Sequence, residues 1–360
     1  MNSIFVIPVK TGIRVVIQNL FSCETGLWTP ELGVKCLWVI ISLEARAWSF
    51  HMKYNFRKWW LGLTVGQQDA YLNKLEVDLG GETKAREVLE AYSRGEIKLV
   101  FQDNTVKFVD VNGRVIPIKL KGKVVDANRS FHLVQPEIDY TAIMARLLMF
   151  FGVELMNGFM DVEKFEREGK AIIARAKADK QTNNLLKGVH LPICFPKLAV
   201  SDYGRTFEEI FLAAAARSYC DAFPGRTFTN HRKGDLAGKV SVVNGTRHER
   251  LVEAMAKGSV TGVFFPTAFQ GYGIEADREA IKGLPNNYLL TGALDTSVAM
   301  VAFPQVLARD YYTPGLDCAA NSWGSGISLF FRPGGSGLSF GDRGLGAYVF
   351  FSGGVFVLGQ

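Results

Sequence analysis

The sequence predicts an α+β protein in which helices and short, mainly antiparallel strands combine without a regular βαβ repeat. Two observations favour this class. Of the 360 residues, 48% are hydrophobic and 21% are charged, which is typical of a globular chain with a sizeable core. In the C-terminal half, helical spacing of apolar residues occurs twice, and the segments around it are short, strand-like and separated by turns that contain Gly or Pro.

Residues 1–51 are expected to be a leader that does not belong to this fold. They show no helical or strand period, and "VIPVKTGI" resembles peptides that arise when bacterial intergenic repeat DNA is translated. One expectation is that the natural chain starts at Met52 and that the leader is non-native or disordered. The alternative is a short irregular segment that packs on the domain.

Residues 52–184 predict a smaller N-terminal domain of mixed helices and strands. Two short helices are expected within 67–96, followed by a β-hairpin that turns at Asn112 and Gly113. Longer helices are expected over 137–156 and 162–184. The polar stretch 180–188 predicts a linker to a C-terminal domain at 187–360.

Two helices of the C-terminal domain are predicted from capping boxes. Thr206 with Glu209 marks the start of the first, and Thr246 with Glu249 marks the start of the second. Period-two patterns and turn residues predict strands at 238–243, 260–265, 288–290, 327–331, 338–340, 348–351 and 355–358.

Composition and spacing exclude several function classes. Five cysteines without a CxxC pair indicate neither a disulfide framework nor a zinc site. No apolar run reaches the roughly 18 to 20 residues that span a bilayer, and no signal peptide is recognisable, so the cytoplasm is the default expectation. The net charge of +6 is spread along the chain, which gives no strong nucleic-acid signal. Neither a phosphate loop nor a nucleophile elbow is complete, so no catalytic residue is predicted.

The segment 324–359 has an unusual composition. It contains no Lys, Glu, Gln, Met or Trp, although these five types supply 63 of the other 324 residues, a frequency at which about seven would be expected here. They are the amino acids that no codon ending in C or T encodes, whereas every type present in the segment has such a codon. Randomising both adenines of AAC or AAT codons would produce this composition.

That signature, together with "SWGSGISLFFRPGGSGLSFGDRGLGAYVFFSGG" and the preceding "PQVLARDYYTPGLDCAAN", resembles the variable proteins of diversity-generating retroelements of candidate-phylum bacteria. In such systems an error-prone reverse transcriptase rewrites the end of a gene. "HLPICFPKLAVSDYGRTFEEIFLAAAARSY" and "GTRHERLVEAMAKGSVTGVFFP" resemble the invariant part of the same domain. The resemblance implies a C-type lectin fold over about 187–360. The sugar-binding motifs of calcium-dependent lectins are absent, so no metal or other cofactor is expected.

The expected function is ligand binding by a diversified C-terminal surface, with partners that vary and are expected to be proteins. Alternation predicts that Leu329, Phe331, Leu338 and Phe340 hold the sheet, which argues against a low-complexity tail. The remaining side chains can then change without unfolding it. The predicted variable surface comprises Ile327, Phe330, Arg332, Ser339, Asp342, Arg343, Val349, Phe350 and Phe351.

Two other functions remain open from the sequence. One is an enzyme on the related fold of the sulfatase-activating, formylglycine-generating proteins, with a site around Asp202, His231 and Asp310, although the cysteine pair of those enzymes is missing. The other is a basic nucleic-acid-associated protein acting through the helix at 167–180.

Overall fold

The computed structural model describes residues 133–359 apart from 153, 154 and 156, residue 131, and separate short stretches between residues 4 and 110. The chain divides into two units, Met1–Lys119 and Leu120–Gln360. The candidate functional surface lies entirely in the second unit.

The described strands of the first unit form two antiparallel sheets. They are β1 (Ile4–Pro8), β2 (Arg14–Gln18), β3 (Ile40–Leu43), β4 (Tyr54–Asn55), β5 (Ile97–Gln102) and β6 (Thr105–Asp110). β1 to β4 pair in chain order, and β5 pairs with β6. The predicted strand at 105–110 therefore pairs with the segment before it, and the predicted turn at Asn112 and Gly113 lies outside the described residues. The predicted leader, residues 1–51, also lies outside the described residues, except for β1, β2 and β3.

The second unit is built on one mixed eight-stranded sheet, with a separate two-stranded sheet formed by β9 and β13. The strands are β7 (Leu191–Phe195), β8 (Thr227–Asn230), β9 (Val240–Val242), β10 (Val260–Gln270), β11 (Tyr288–Leu290), β12 (Gly315–Cys318), β13 (Asn321–Trp323), β14 (Ile327–Pro333), β15 (Gly337–Gly344) and β16 (Phe351–Leu358). The order is β7-β10-β16-β12-β14-β15-β8, and β11 also pairs with β16. Most pairs are antiparallel, as predicted, but β12 with β16 and β15 with β8 are parallel.

The helices described in this unit pack on that sheet. They are α1 (Tyr140–Phe151), α2 (Val162–Ala178), α3 (Tyr203–Thr206, a π turn Phe207–Leu212, and Ala213–Ala222), α4 (Glu249–Lys257), α5 (Ile274–Ala280), α6 (Ala293–Ala302) and α7 (Pro304–Leu307). The unit is therefore α+β, and it contains more helices than the two predicted from capping boxes. No helix among the described residues has both the length and the apolar character needed to cross a bilayer.

Both predicted capping boxes are wrong. α3 begins one turn earlier than expected, because the Asp202 carboxylate accepts a hydrogen bond from the Arg205 amide at 2.9 Å. At α4, the Thr246 hydroxyl donates to the Val243 carbonyl instead of accepting from the helix. At α3 an earlier carboxylate caps the helix, and at α4 the Thr246 hydroxyl has a backbone acceptor instead.

The predicted domain boundary at 184–187 is also wrong. Leu147 of α1 and Phe165 of α2 are fully buried in the core of the second unit. The Phe151 ring contacts the Phe211 ring of α3, with centroids 5.3 Å apart. The expected linker contains a 3-10 turn, Asn183–Lys187, and its Leu185 side chain is buried. An amphipathic pattern predicts that one face of a helix is buried, but it does not predict which surface that face packs against.

A candidate binding face on the C-terminal sheet

β14 and β15 have one face in the core, as their alternation predicts. Leu329, Phe331, Leu338 and Phe340 are at most 1% exposed. Phe331 lies opposite Phe340 in the antiparallel register, with ring centroids 5.1 Å apart. Each of these side chains contributes about 1.5 to 3 kcal/mol by burial, so this row fixes the register of the two strands.

The opposite face of the same strands carries Phe330, Arg332 and Ser339, which are half-buried or exposed. Strict alternation along β14 would place Ser328 on this face as well. It is instead fully buried, and its hydroxyl lies 3.0 Å from the carbonyl oxygens of both Cys318 and Asn321. Ile327 and Val349, two further predicted surface residues, are half-buried.

Phe351 was predicted on the variable surface, but it is 6% exposed. Its ring lies on Gly315, where an added Cβ would come within 2.7 Å of the ring. The Phe330 ring meets it edge-on, with centroids 5.2 Å apart. Phe351 also begins β16, because the chain turns at 349–350 instead of forming the predicted strand at 348–351. It is therefore the support of the face and not one of its exposed contacts.

Exposed aromatic side chains surround this support. Among the described residues, every aromatic side chain in the exposed class lies here: Tyr311 (69%), Tyr312 (55%), Tyr348 (51%) and Phe350 (46%). A cleft of about 280 Å³ opens beside three of them and is lined by Tyr311, Tyr312, Thr313, Gly315, Arg332, Pro333 and Phe350. These exposed side chains and the cleft are called the aromatic face below. A cluster of exposed aromatic groups on a sheet is a feature of recognition surfaces.

Of the aromatic face, the sequence predicted Phe350 and Arg332. It missed the role of Tyr311 and Tyr312, which precede the segment of unusual composition. Tyr348 lay within the strand expected at 348–351. The doublet of tyrosines between Asp310 and Pro314 was the available signal, since two adjacent aromatic residues in a turn cannot both be buried easily.

Arg332 lies at the centre of the aromatic face. Its guanidinium carbon is 5.8 Å from the centroid of the Phe350 ring and 5.9 Å from that of Phe351. Both distances fall within the range of a cation–π contact. Arg332 is exposed, so its donors remain available to a ligand.

Arg343, by contrast, is a buried structural residue and not a variable contact as predicted. Its Nε and terminal nitrogen donate to the two carboxylate oxygens of Asp317 at 2.7 and 2.6 Å, and the two side chains are 8% and 0% exposed. Burial raises the pKa of Asp317, and the Arg343 bonds oppose that rise. A bidentate pair of this kind holds both groups in one geometry.

The same guanidinium also supports the turn that carries the exposed rings. It donates to the carbonyl oxygens of Gly344 and Gly346 at 3.1 and 2.6 Å and lies 5.0 Å from the centroid of the Tyr348 ring. Asp342, another predicted contact, forms an ion pair with Arg232, which stacks on Trp323 at 4.0 Å. Asp342 is therefore engaged within the fold.

A second carboxyl group lies beneath this pair. Asp277 of α5 is fully buried, and neither of its carboxylate oxygens has a hydrogen-bond donor among the described residues. Burial raises its pKa well above the ordinary value, and the nearby Asp317 raises it further. An added Cβ on Gly353 would come within 2.4 Å of this carboxyl, so the group is tightly enclosed.

A buried polar cluster stands at the start of α6, the most deeply buried helix described. The Tyr203 hydroxyl lies 2.9 Å from Nε2 of His248 and 3.1 Å from Oδ1 of Asn321, and that oxygen accepts the Ala293 amide at 2.6 Å. His248 is 0% exposed, and burial lowers its pKa to about 4. This cluster satisfies backbone amides at the helix start.

Of the three residues proposed for an enzyme site, Asp202 and Asp310 have other partners. Asp202 caps α3 and also accepts the Gly238 amide at 2.9 Å. Asp310 accepts from the Tyr312 amide at 2.8 Å and pairs with Arg309 at 3.0 Å. No hydrogen bond joins either of them to His231. Within the described part of the chain, no three His, Cys, Asp or Glu side chains are placed to hold a metal ion.

The helix proposed for nucleic-acid binding, α2, is amphipathic. Phe165, Ile172 and Ala176 face the core. Its outer face mixes charges, with ion pairs from Lys170 to Glu166 and from Lys164 to Glu168. Such a face differs from the basic stripe that binds a phosphate backbone.

No protein-family model matches this chain, and no curated protein or solved structure shows significant similarity to it.

Proposed function

We propose that this chain is a ligand-binding protein that recognises a partner protein through the aromatic face. The observation that carries the proposal is a cleft lined by three exposed aromatic side chains, Tyr311, Tyr312 and Phe350, and by an exposed arginine. Tyrosine, phenylalanine and arginine are the residue types that anchor protein interfaces and antibody paratopes, because they offer large contact areas at low entropic cost.

The arrangement separates a frame from a surface. Leu329, Phe331, Leu338 and Phe340 are in the core, and Phe351 with the Arg343–Asp317 pair supports the face from below. Arg332, Ser339 and Phe350 can change without loss of that frame. This separation supports the further proposal that residues 324–359 are diversified by a retroelement and that residues 187–360 form a C-type lectin-like domain.

The binding proposal is tested by affinity capture from a lysate of the source organism with single variants Tyr311→Ala, Phe350→Ala and Arg332→Ala. Each is expected to weaken capture of the same partner by about tenfold or more, as anchor residues do. Met149→Ala and Arg205→Ala alter exposed residues outside the face and serve as controls. Equal capture by all five variants would sink the proposal.

The diversification proposal is tested by the coding DNA. Codons ending in C or T are expected throughout 324–359, beside a near-copy of the segment with adenines at the differing positions. Codons ending in A or G scattered through the segment would contradict it.

A further inference from the structure

We infer that the cleft of the aromatic face takes a carboxylate group from an acidic segment of the partner protein, and that Arg332 recognises it. The inference rests on the proposed function, because it names the chemistry of the partner at that site.

The charges around the cleft leave one cation without a counter-ion. Residues 301–360 contain three arginines and three aspartates and no Lys or Glu. Each aspartate is held by an arginine: Asp310 by Arg309, Asp317 by Arg343, and Asp342 by Arg232. Arg332 is left over, since no carboxylate of the described residues lies within 4.0 Å of its side-chain nitrogens.

The surroundings of Arg332 favour a planar anion. The rings of Phe350 and Phe351 lie within cation–π range of its guanidinium. A pre-organised guanidinium donates two parallel hydrogen bonds to a carboxylate. The cleft walls add apolar area from Tyr311 and Pro333 and include no competing carboxylate.

The size of the cleft and its single cation favour a carboxylate over a phosphate group or a nucleic acid. A volume of about 280 Å³ is at the lower limit for small-molecule sites and suits one or two side chains of a larger partner. Phosphate carries up to two negative charges, and nucleic-acid sites line up several cations along the backbone. One arginine beside aromatic rings therefore suits the single negative charge of an Asp or Glu side chain, or of a C-terminal carboxylate, better than a phosphate group or a nucleic acid.

The test uses the immobilised full chain and a phage-displayed random dodecapeptide library as the probe. Selected peptides are expected to share an Asp, a Glu or a free C-terminal carboxylate, and to bind Arg332→Gln at least tenfold more weakly. Arg205→Gln is the matched control and should bind them as the parent does. Arg332→Glu should select peptides with Lys or Arg in place of the acidic residue. Circular dichroism and thermal unfolding establish that each variant is folded.

Two results would overturn the inference while leaving the proposed function standing. Peptides that depend on Tyr311 and Phe350 but show no acidic preference would do so, as would an unchanged preference in Arg332→Glu. Arg332-dependent binding of a 20-nucleotide single-stranded DNA or of phosphatidylglycerol vesicles, tighter than that of any selected peptide, would assign the site to phosphate and overturn it as well. If no selected peptide responds to any change in the face, the inference and the proposed function fail together.

Discussion

At the scale of single residues, Asp277 is a fully buried carboxyl group. Its carboxyl is enclosed by α5 and β16 beside the Arg343–Asp317 pair, without a donor of its own among the described residues. Because burial raises its pKa in the folded chain, the folded state holds this proton more tightly than the unfolded state does. The contribution of this group to stability is therefore greatest below the ordinary pKa of 3.8 and decreases as pH rises through the window up to the raised folded pKa.

Asp277→Asn removes this titration while keeping the shape of the side chain. We expect the variant to exceed the parent in free energy of unfolding at pH 8 by about 1 kcal/mol or more, since each unit of pKa difference corresponds to about 1.4 kcal/mol. Urea unfolding between pH 4 and pH 8 measures the effect, with Glu253→Gln as a surface control. A parent and variant with the same pH dependence would show that Asp277 is ionised without cost.

Residue-level prediction from the sequence succeeded where the information is local. The alternation around Leu329 and Phe340 is visible within a few positions, and both are buried. It failed for Phe351 and Arg343, because their burial depends on Gly315 and Asp317, which come from a different strand. A lone sequence gives the type of each side chain but not its distant partner.

At the scale of elements, the turn between β15 and β16 carries two of the exposed rings, and Arg343 holds it through the carbonyl oxygens of Gly344 and Gly346. The turn thus depends on a residue that also neutralises Asp317. The presentation of Tyr348 is coupled in this way to a buried ion pair.

Arg343→Ala is expected to lower the free energy of unfolding by about 3 to 5 kcal/mol, because it leaves the Asp317 carboxylate buried without its partner. Arg332→Ala, at an exposed position, should change stability by about 0.5 kcal/mol or less. Chemical denaturation compares the two. The double variant Arg343→Ala with Asp317→Asn should recover part of the loss, and a single variant as stable as the parent would show that the pair does not support the fold.

Element prediction was limited by helices that lack an amphipathic pattern. α6 is buried on all sides, so its apolar residues show no helical period, and its start is satisfied by Asn321 and Tyr203 from elsewhere in the chain. β11, β14 and β15 were found near their true positions because they alternate or lie between clear turns. The capping motifs predicted the wrong helix starts, because a short polar side chain can form hydrogen bonds with several nearby backbone groups.

At the scale of the whole molecule, α1 and α2 belong to the same core as the sheet. Arg146 of α1 donates to the carbonyl oxygens of Val301 and Ser218 at 2.9 and 2.8 Å, and the Thr261 hydroxyl of β10 lies 3.1 Å from the Met160 sulfur. The α+β class was predictable from composition and pattern. The extent of the core was not, because it depends on which apolar faces meet.

A fragment of residues 120–360 is expected to unfold cooperatively, with a melting temperature close to that of the same unit in the full chain. A fragment of residues 187–360 should instead aggregate or bind a hydrophobic dye, because it exposes Leu191, Phe195 and Phe211. Calorimetry and dye fluorescence distinguish the two fragments. Cooperative unfolding of the shorter fragment would restore the boundary at 187.

The cleft has walls of two origins, with consequences for the range of partners that variants of this chain could bind. Tyr311 and Tyr312 precede the segment 324–359, whereas Arg332 and Phe350 lie within it. Under the proposed diversification, every variant would keep the same pair of tyrosines. Only the cleft residues within 324–359 would differ between variants. The two tyrosines would give every variant the same weak contribution to binding. The diversified side chains would then determine which partner is bound more than how tightly it is bound. The same inheritance confines all variants to partners that tolerate two phenol rings.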